Sequence, residues 1–183
     1  MTYTLLPPND PRVLSGIAEF NIDIFKEDEK IELKEFVDNM FETMKKYGGI
    51  GLSANQVGKP YRMFVMGDHP NISKGKKWVC INPKITNVTQ DLIRYKEGCL
   101  TFPFLFLDIE RPQDISVEYL DENLEKKDEH MTGIVARCFQ HEFDHMQGIV
   151  FTEHVSKLKL DMAMKKRDKQ IKRAQKQWQS LKN

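Results

Sequence analysis

The chain has 183 residues, of which 40% are hydrophobic and 30% charged, and its formal net charge is +1. This composition predicts one compact domain with its own core and room for an appended segment. The start of the chain lacks a signal peptide, and the longest apolar run, residues 102–107, is too short to cross a bilayer. These features argue against a secreted or membrane protein and predict a cytoplasmic one.

The first predicted element is a helix over residues 29–47, because its apolar residues recur at i, i+3, i+4, i+7, i+8 and i+11. The glycine-rich stretch "GGIGLSANQVGKP" ends this helix and leads into the predicted strand "YRMFVM". Further strands are predicted at "KWVCI", in parts of residues 85–95, and at "ISVEYL", which turns into a polar return strand. The repeating apolar residues of the helix are Leu33, Phe36, Val37, Met40, Phe41 and Met44.

Two more helices are predicted in the C-terminal part. Thr132 is the expected N-cap of a helix from 133 to about 146, and Gly148 is its expected left-handed terminator. From about residue 155 onward there is no glycine or proline, which predicts a last helix with a thin apolar stripe. That stripe comprises Ile171, Ala174, Trp178 and Leu181.

Strands clustered in mid-chain between helices predict an α+β fold with mainly antiparallel pairing around a central helix. The charge is unevenly distributed. Residues 157–183 carry ten Lys or Arg against two Asp, a net charge near +8, which leaves about −7 for the rest. We expect two parts, a main domain over residues 1–155 and a basic helical extension over 156–183.

The motif "HEFDH" places candidate metal-binding residues on the central helix. His141 and His145 lie four residues apart, so both imidazoles project from one helical face and reach one cation, with Glu142 beside them. Chance predicts on the order of 0.01 matches to H-E-x-x-H in a chain of this composition. One alternative is an ordinary amphipathic helix with polar histidines. Another is a closed structural zinc site, for which no Cys-x-x-Cys pair supplies further ligands.

The identity of a third protein ligand stays open at this point. The longer zinc-protease signature places a histidine where this chain has Phe151, and Glu153 and His154 are formal substitutes. Cys138 lies seven residues from His145, an axial rise of about 10.5 Å, which is too far for one ion to bridge with His141. The two remaining cysteines are Cys80 and Cys99. Cys80 is predicted to be a buried core residue, and Cys99 lies in a short irregular segment between Gly98 and Pro103.

Three segments together resemble the signature motifs of the peptide deformylases. They are "GIGLSANQ" at 49–56, "EGCLT" at 97–101 and "QHEFDH" at 140–145, and the match spans most of residues 1–155. Ser53 stands where the family has alanine, and Thr101 where it has serine. The run "FPFLFLDIERP" departs further from the family and puts the substrate contacts there in doubt.

The resemblance implies a hydrolase that removes the formyl group from formyl-methionyl nascent peptides and releases formate. Cys99, His141 and His145 would be ligands of one divalent ion, iron(II) in the working enzyme, with zinc, nickel or cobalt in purified samples. Glu142 would act as general base and acid for attack by a metal-bound water on the formyl carbon. Gln56 and the backbone N–H of Leu100 would form an oxyanion hole. A ferrous centre predicts sensitivity to oxygen.

The resemblance also assigns the substrate contacts. The backbone at Gly49, Ile50 and Gly51 would pair with the peptide like an added strand. Ile50, Ile134 and Cys138 are expected to line the methionine pocket, or to be plain core.

Two charged residues near the motif keep open roles. Arg137 is expected to face solvent or a carboxylate such as Glu97. Asp144 is either a partner of the ligands or a solvated charge.

Similarity further implies that the basic tail docks on ribosomal RNA, with a merely solvated helix as the alternative. No DNA or membrane partner is expected. The place of action would be the cytoplasm, or whichever organelle or host cytosol translates from formyl-methionine. Two competing functions remain open, an H-E-x-x-H peptidase and a ribosome- or RNA-binding module with a vestigial or structural metal site.

Overall fold

The computed structural model describes residues 1–180 and has the α+β fold that the sequence predicts, with antiparallel sheets and a C-terminal helix. In chain order, the elements are α1 (Ile22–Glu29), α2 (Leu33–Lys46), β1 (Gly51–Ser53), a 3-10 helix (Ala54–Val57), β2 (Met63–Gly67), α3 (Pro70–Ser73), β3 (Lys77–Val88), β4 (Leu92–Cys99), β5 (Phe102–Pro112), β6 (Asp114–Leu120), β7 (Lys126–Thr132), α4 (Gly133–Met146), a 3-10 helix (Phe151–His154) and α5 (Lys157–Ser180).

The strands form two sheets. One has five strands in the order β1-β2-β3-β6-β7, so β1 lies at its edge, and the other is the β4–β5 hairpin. Helix α4 packs on the five-stranded sheet, where Phe139 stacks edge-on against Phe64 of β2. The opposite side of α4 faces the hairpin, to which it is joined by the ion pair between Asp144 and Arg111. The metal-binding motif is therefore enclosed between the two sheets.

The predicted N-terminal helix is present as α2, and all six of its predicted apolar residues are buried. Its predicted start at residue 29 was wrong, because a separate helix, α1, ends there. The side chain of Asn21 caps α1 by accepting from the backbone N–H groups of Asp23 and Ile24, and Lys30 terminates it in the left-handed conformation with φ 53°. Nothing in the sequence around Lys30 indicates this break, since glycine is the usual residue there.

The segment around Cys99 also differs from its prediction. Cys99 ends strand β4, and β5 begins at Phe102, so the expected irregular segment is a tight hairpin turn. The ladder loses register here, because Gly98 pairs with Phe106 whereas Cys99 pairs with Phe102. Residues 103–105 therefore bulge out of the hairpin, and Phe104 has a positive φ of 64°.

The ends of α4 lie where they were predicted. Thr132 is the N-cap by position, although its side chain makes no capping hydrogen bond. Gly148 follows the helix with φ 75°, and a Cβ there would lie 2.7 Å from the backbone of Ser15. This position requires glycine both for its conformation and for the close approach of the N-terminal segment.

The last helix begins at Lys157, two residues later than predicted, after a 3-10 helix that the sequence did not indicate. Leu160, Ala163 and Met164 pack against the hairpin core. Of the predicted stripe, Ile171 is half-buried, Ala174 and Trp178 are exposed, and Leu181 lies outside the described residues. No helix within residues 1–180 is long and apolar enough to span a membrane.

Candidate metal centre

Helix α4 carries three buried functional side chains. His141 and His145 occupy the same face, with ring centroids 5.2 Å apart, and their exposed fractions are 8% and 1%. Glu142 is 3% exposed. Imidazoles this deeply enclosed are not the solvated polar face of an ordinary amphipathic helix, so that alternative interpretation of the motif was wrong.

The hairpin brings Cys99 to the two histidines. Its Sγ lies 3.5 Å from Nε2 of His145, and the ligand atoms of Cys99, His141 and His145 all lie within 4.8 Å of one another. Within residues 1–180, these three form the single cluster of metal-ligating side chains. The prediction that Cys99, rather than Cys138 or a downstream residue, approaches the histidines is therefore consistent with the geometry.

The donor set fits a divalent ion. Zinc-type ions bind sulfur at about 2.3 Å and nitrogen at about 2.0–2.1 Å, so tetrahedral ligands lie roughly 3.5 Å apart, and the sulfur–nitrogen distance here matches that value. Burial raises the pKa of the Cys99 thiol, but the neighbouring imidazoles of His145 and His141 outweigh burial and lower it well below its usual range. The thiolate is the form that binds metals. Three protein donors leave one position of a tetrahedral site for water or substrate.

A buried ionic cluster orients one of the ligands. Glu97 accepts from Arg111 and Arg137 at 2.8 Å each, and its Oε2 lies 3.1 Å from Nδ1 of His141. This contact leaves Nε2 of His141 to face the ion, as carboxylate partners of metal-bound histidines commonly do. Arg111 continues the cluster to Asp144, which also pairs with His154. Arg137 therefore faces a carboxylate and not solvent. Asp144 is not a solvated charge, because it joins the cluster around His141 through Arg111.

We expect Glu97→Gln to lower the free energy of unfolding by about 3 kcal/mol at neutral pH, because the buried Arg137 loses its carboxylate partner and the buried Arg111 keeps only Asp144. Burial raises the pKa of Glu97, but His141 and Arg111 outweigh burial and hold it well below its usual 4.5. A depressed carboxyl pKa stabilises the fold above the pKa of the unfolded chain, and this stabilisation is lost as pH falls. Urea unfolding of wild type and variant should therefore converge in acid.

Glu110→Gln is the matched control. Glu110 lies on the other strand of the same hairpin, β5, and also pairs with an arginine, Arg94, at 2.7 Å, but both side chains are more than half exposed. Its removal should change the free energy of unfolding by less than about 1 kcal/mol. Equal losses in the two variants would contradict a stabilising role for the buried cluster.

A cleft of about 440 Å³ opens onto this centre and is lined by residues of β1, the hairpin and α4. Glu142 faces it, and its Oε2 has no hydrogen-bond partner among the described residues. Burial raises the pKa of this carboxyl. Gly51 permits the close approach of β1 to α4, because a Cβ there would collide with Glu142 and lie 2.8 Å from Sγ of Cys138.

Gln56 is another residue of the cleft lining and lies on the 3-10 helix after β1. Its side-chain oxygen accepts from the backbone N–H and the hydroxyl of Ser53, both at 3.0 Å. Its Nε2 donates to Oγ1 of Thr101 at 2.9 Å and lies 3.3 Å from Sγ of Cys99. The two positions that depart from the family motifs, Ser53 and Thr101, therefore both hold this amide.

The other predicted site residues divide into three groups. Cys80 is fully buried core, as predicted. Glu153 and His154, the formal alternatives for a third ligand, are engaged elsewhere: Glu153 accepts from the backbone of Val150, and His154 pairs with Asp144. The residues found in the cleft lining are Gly49, Ile50, Gly51, Leu100, Ile134 and Cys138.

Arg111 is the main site residue that the sequence did not reveal. It continues the inward-facing positions of β5 after Leu105, Leu107 and Ile109, and it is 5% exposed. An arginine at a position whose alternation predicts burial implies a buried carboxylate partner. That signal was available in the run "FPFLFLDIERP" once its alternation was recognised.

Comparisons with known proteins agree with this geometry. Residues 9–161 match the profile of the family described as polypeptide deformylase. A peptide deformylase from Wolbachia sp. subsp. Brugia malayi is 42% identical over 146 residues, covering 75% of this chain and 82% of that protein. The crystal structure of the Ehrlichia chaffeensis peptide deformylase aligns with TM-score 0.79 and 36% identity, over 95% of this chain and 99% of that one. The Legionella pneumophila peptide deformylase aligns with TM-score 0.80 and 31% identity, over 96% and 98%.

Proposed function

The chain belongs to the polypeptide deformylase family, enzymes that remove the formyl group from N-terminal methionine, and we propose that residues 1–155 form its catalytic metallohydrolase domain. Its substrates are nascent formyl-methionyl peptides, and formate is the second product. The observation that carries the proposal is the meeting of the Cys99 sulfur with the two imidazoles of α4 beside a cleft that is lined by Cys99, His141 and Glu142.

Cys99, His141 and His145 would hold one divalent ion. When bound, the ion would polarise the formyl carbonyl and make water acidic enough to react near neutral pH. Affinity alone favours copper or zinc in such a site, so the ion in the cell depends on availability. We propose iron(II) as the working ion, with zinc, nickel or cobalt replacing it in purified samples.

Glu142 moves the proton. The carboxylate accepts a proton from the attacking water and delivers it to the departing amine, so one residue serves as base and then as acid. Its unpaired Oε2 in the cleft and its burial suit this role, because a carboxyl with a raised pKa exchanges protons closer to neutral pH.

Gln56 and the backbone N–H of Leu100 stabilise the developing negative charge on the formyl oxygen. Both residues line the cleft beside Cys99. Because Ser53 and Thr101 fix the amide of Gln56 at both ends, its Nε2 is already oriented toward the sulfur side of the cleft. An amide held in advance loses little orientational freedom in the transition state, which is the condition for effective electrostatic stabilisation.

The peptide lies along the edge of the five-stranded sheet. Gly49 and Ile50 lead into β1, which begins at Gly51 and whose outer side has no strand partner in the described sheet. An extended peptide added there would receive main-chain hydrogen bonds. Its methionine side chain would enter the apolar part of the cleft formed by Ile50, Ile134 and Cys138.

The decisive test uses protein purified and assayed without oxygen. We expect formate release from formyl-Met-Ala-Ser, no cleavage of unformylated Met-Ala-Ser, and about one divalent ion per chain. Activity should decline in air when the ion is iron, because a ferrous centre with a thiolate ligand oxidises. Cleavage of internal peptide bonds without formate would instead favour the peptidase.

For the basic extension, residues 156–183, we propose docking on ribosomal RNA. Lys165, Lys169, Lys172, Arg173 and Lys176 are exposed on α5. Phosphate contacts by such residues give salt-dependent, sequence-independent affinity. The enzyme would then act in the compartment where formyl-methionine-initiated chains are made.

Reversing two of these charges tests the docking. Lys172→Glu/Lys176→Glu should weaken co-sedimentation with ribosomes and reduce the dependence of log affinity on log salt by about 0.7–0.9 for each phosphate that is no longer neutralised. The matched control is Lys26→Glu/Lys34→Glu, which reverses two exposed charges on α1 and α2. Equal weakening by both variants would indicate a general charge effect and no specific docking by α5.

A further inference from the structure

A second groove continues from the mouth of the cleft along the seam between the β4–β5 hairpin and α5. Its volume is about 490 Å³. Lys96, Phe104 and Phe106 line both the cleft and this groove, so the two spaces share one rim. We call it the α5 groove; its other wall includes Lys159, Met162 and Lys166.

The lining of the α5 groove carries a net positive charge, which is concentrated on the α5 wall. Arg94 and Arg167 are offset by nearby carboxylates, at 2.7 Å from Glu110 and 2.8 Å from Asp168. Three lysines remain without an ion pair among the described residues, and Asp108 is the one acidic residue of the lining. These lysines are Lys96, Lys159 and Lys166.

The shared rim offers apolar surface to an extended chain. Strand β5 alternates, with Leu105 and Leu107 buried and Phe106 on the outer face at 59% exposed. The bulge before it turns Phe104 outward as well, at 68% exposed. Two exposed phenylalanines side by side at the end of a substrate cleft form the kind of surface that is usually covered by a ligand.

We propose that the α5 groove receives the segment of the formylated peptide that follows the first residues after methionine, and that it favours acidic side chains there. This inference rests on the proposed function, which places methionine in the adjoining cleft. An extended chain advances about 3.3 Å per residue, so residues about three or more positions after methionine would pass the rim. A cleft lined by cations concentrates anionic ligands and increases their association rate.

The residues shared by the cleft and the α5 groove favour a peptide as the occupant of the groove. A substrate that lies in the cleft with a chain still attached must leave across Lys96, Phe104 and Phe106, which are the residues shared with the groove. An RNA strand is the competing occupant of a cationic groove. RNA in the groove would obstruct acidic and neutral peptides alike and would produce no preference between them.

The test compares kcat/KM for formyl-Met-Ala-Ser-Glu-Glu-Glu and formyl-Met-Ala-Ser-Gln-Gln-Gln at low salt. We expect a ratio of about tenfold for wild type, the product of two or three exposed ion pairs, and a decline at high salt. Lys159→Glu/Lys166→Glu should bring the ratio to about one or below. The ratio does not depend on the fraction of active enzyme, so partial loss of folded protein does not obscure it.

The matched control is Lys172→Glu/Lys176→Glu, which makes the same charge change on the same helix outside the groove lining and should keep the wild-type ratio. A wild-type ratio near one, or equal loss in both double variants, would overturn the proposal. Formate release from formyl-Met-Ala-Ser tests the proposed deformylase activity without the α5 groove, because this tripeptide ends before the groove. Failure with the tripeptide overturns the proposed function; success with the tripeptide and a ratio near one overturns only the groove.

Discussion

Replacing Glu142 with glutamine is expected to lower kcat for formate release by about 10²–10⁴-fold, the usual contribution of a positioned general base and acid. Glutamine has nearly the same shape, so the buried site between Gly51 and the two histidines should stay packed. The metal content should be unchanged, because Cys99, His141 and His145 are all retained. Steady-state assays with elemental analysis of the same samples measure both quantities.

Glu153→Gln provides the comparison for this experiment. Glu153 lies on the 3-10 helix after α4 and accepts from the backbone N–H of Val150. Its replacement should leave kcat within about twofold, since the contact is away from the reacting atoms. A large loss with Glu153→Gln and a small one with Glu142→Gln would favour a peptidase-like site in which Glu153 holds the metal.

Helix α4 could be predicted from the sequence because everything that defines it is local. The i, i+4 spacing of His141 and His145 places both imidazoles on one face in any helix. Gly148 indicates the end because few residues adopt a positive φ at low cost. The predicted bounds of α4 and its histidine face are both present in the structure.

The third ligand could not be derived in the same way. Cys99 and His145 are 46 positions apart in sequence, and their contact depends on the hairpin folding back onto α4. Spacing excluded Cys138 but left several candidates, and only the resemblance to a family favoured Cys99. The pair of Glu97 and Arg137 was among the expected alternatives, but the part of Arg111 in this cluster was not anticipated, since the three residues lie on different elements that meet only in the folded chain.

The sequence analysis did not predict strand β5, because apolar and polar residues do not alternate along its first half. A half-buried strand normally alternates apolar and polar residues, but Phe104 and Phe106 are apolar on the outward side. Residues 102–107 therefore show no alternation, and Pro103 interrupts their apolar sequence. Apolar residues at outward positions are costly unless a ligand or partner covers them, so the feature that obscured the strand also indicates the α5 groove.

Removing the proposed sulfur ligand is also expected to have a large effect. Cys99→Ala should weaken metal binding by more than the roughly 10–100-fold that loss of an outer partner costs, because two histidines alone remain. Formate release should fall with the metal content. In cobalt-substituted protein, the thiolate-to-metal charge-transfer absorption should be present in wild type and absent in the variant.

Cys138→Ala is the matched control for this variant, because it removes the same group from the wall of the same cleft. Sγ of Cys138 lies 3.4 Å from the carbonyl of Ile50 and is not part of the ligand cluster. Burial raises the pKa of the Cys138 thiol, whereas the two imidazoles lower that of Cys99, so Cys99 loses its proton more readily than Cys138. Cys138→Ala should therefore keep the metal and the charge-transfer band while changing KM. If Cys99→Ala kept both signals, the hairpin would not supply a ligand, and the open fourth position on which the proposed mechanism depends would have to be reassigned.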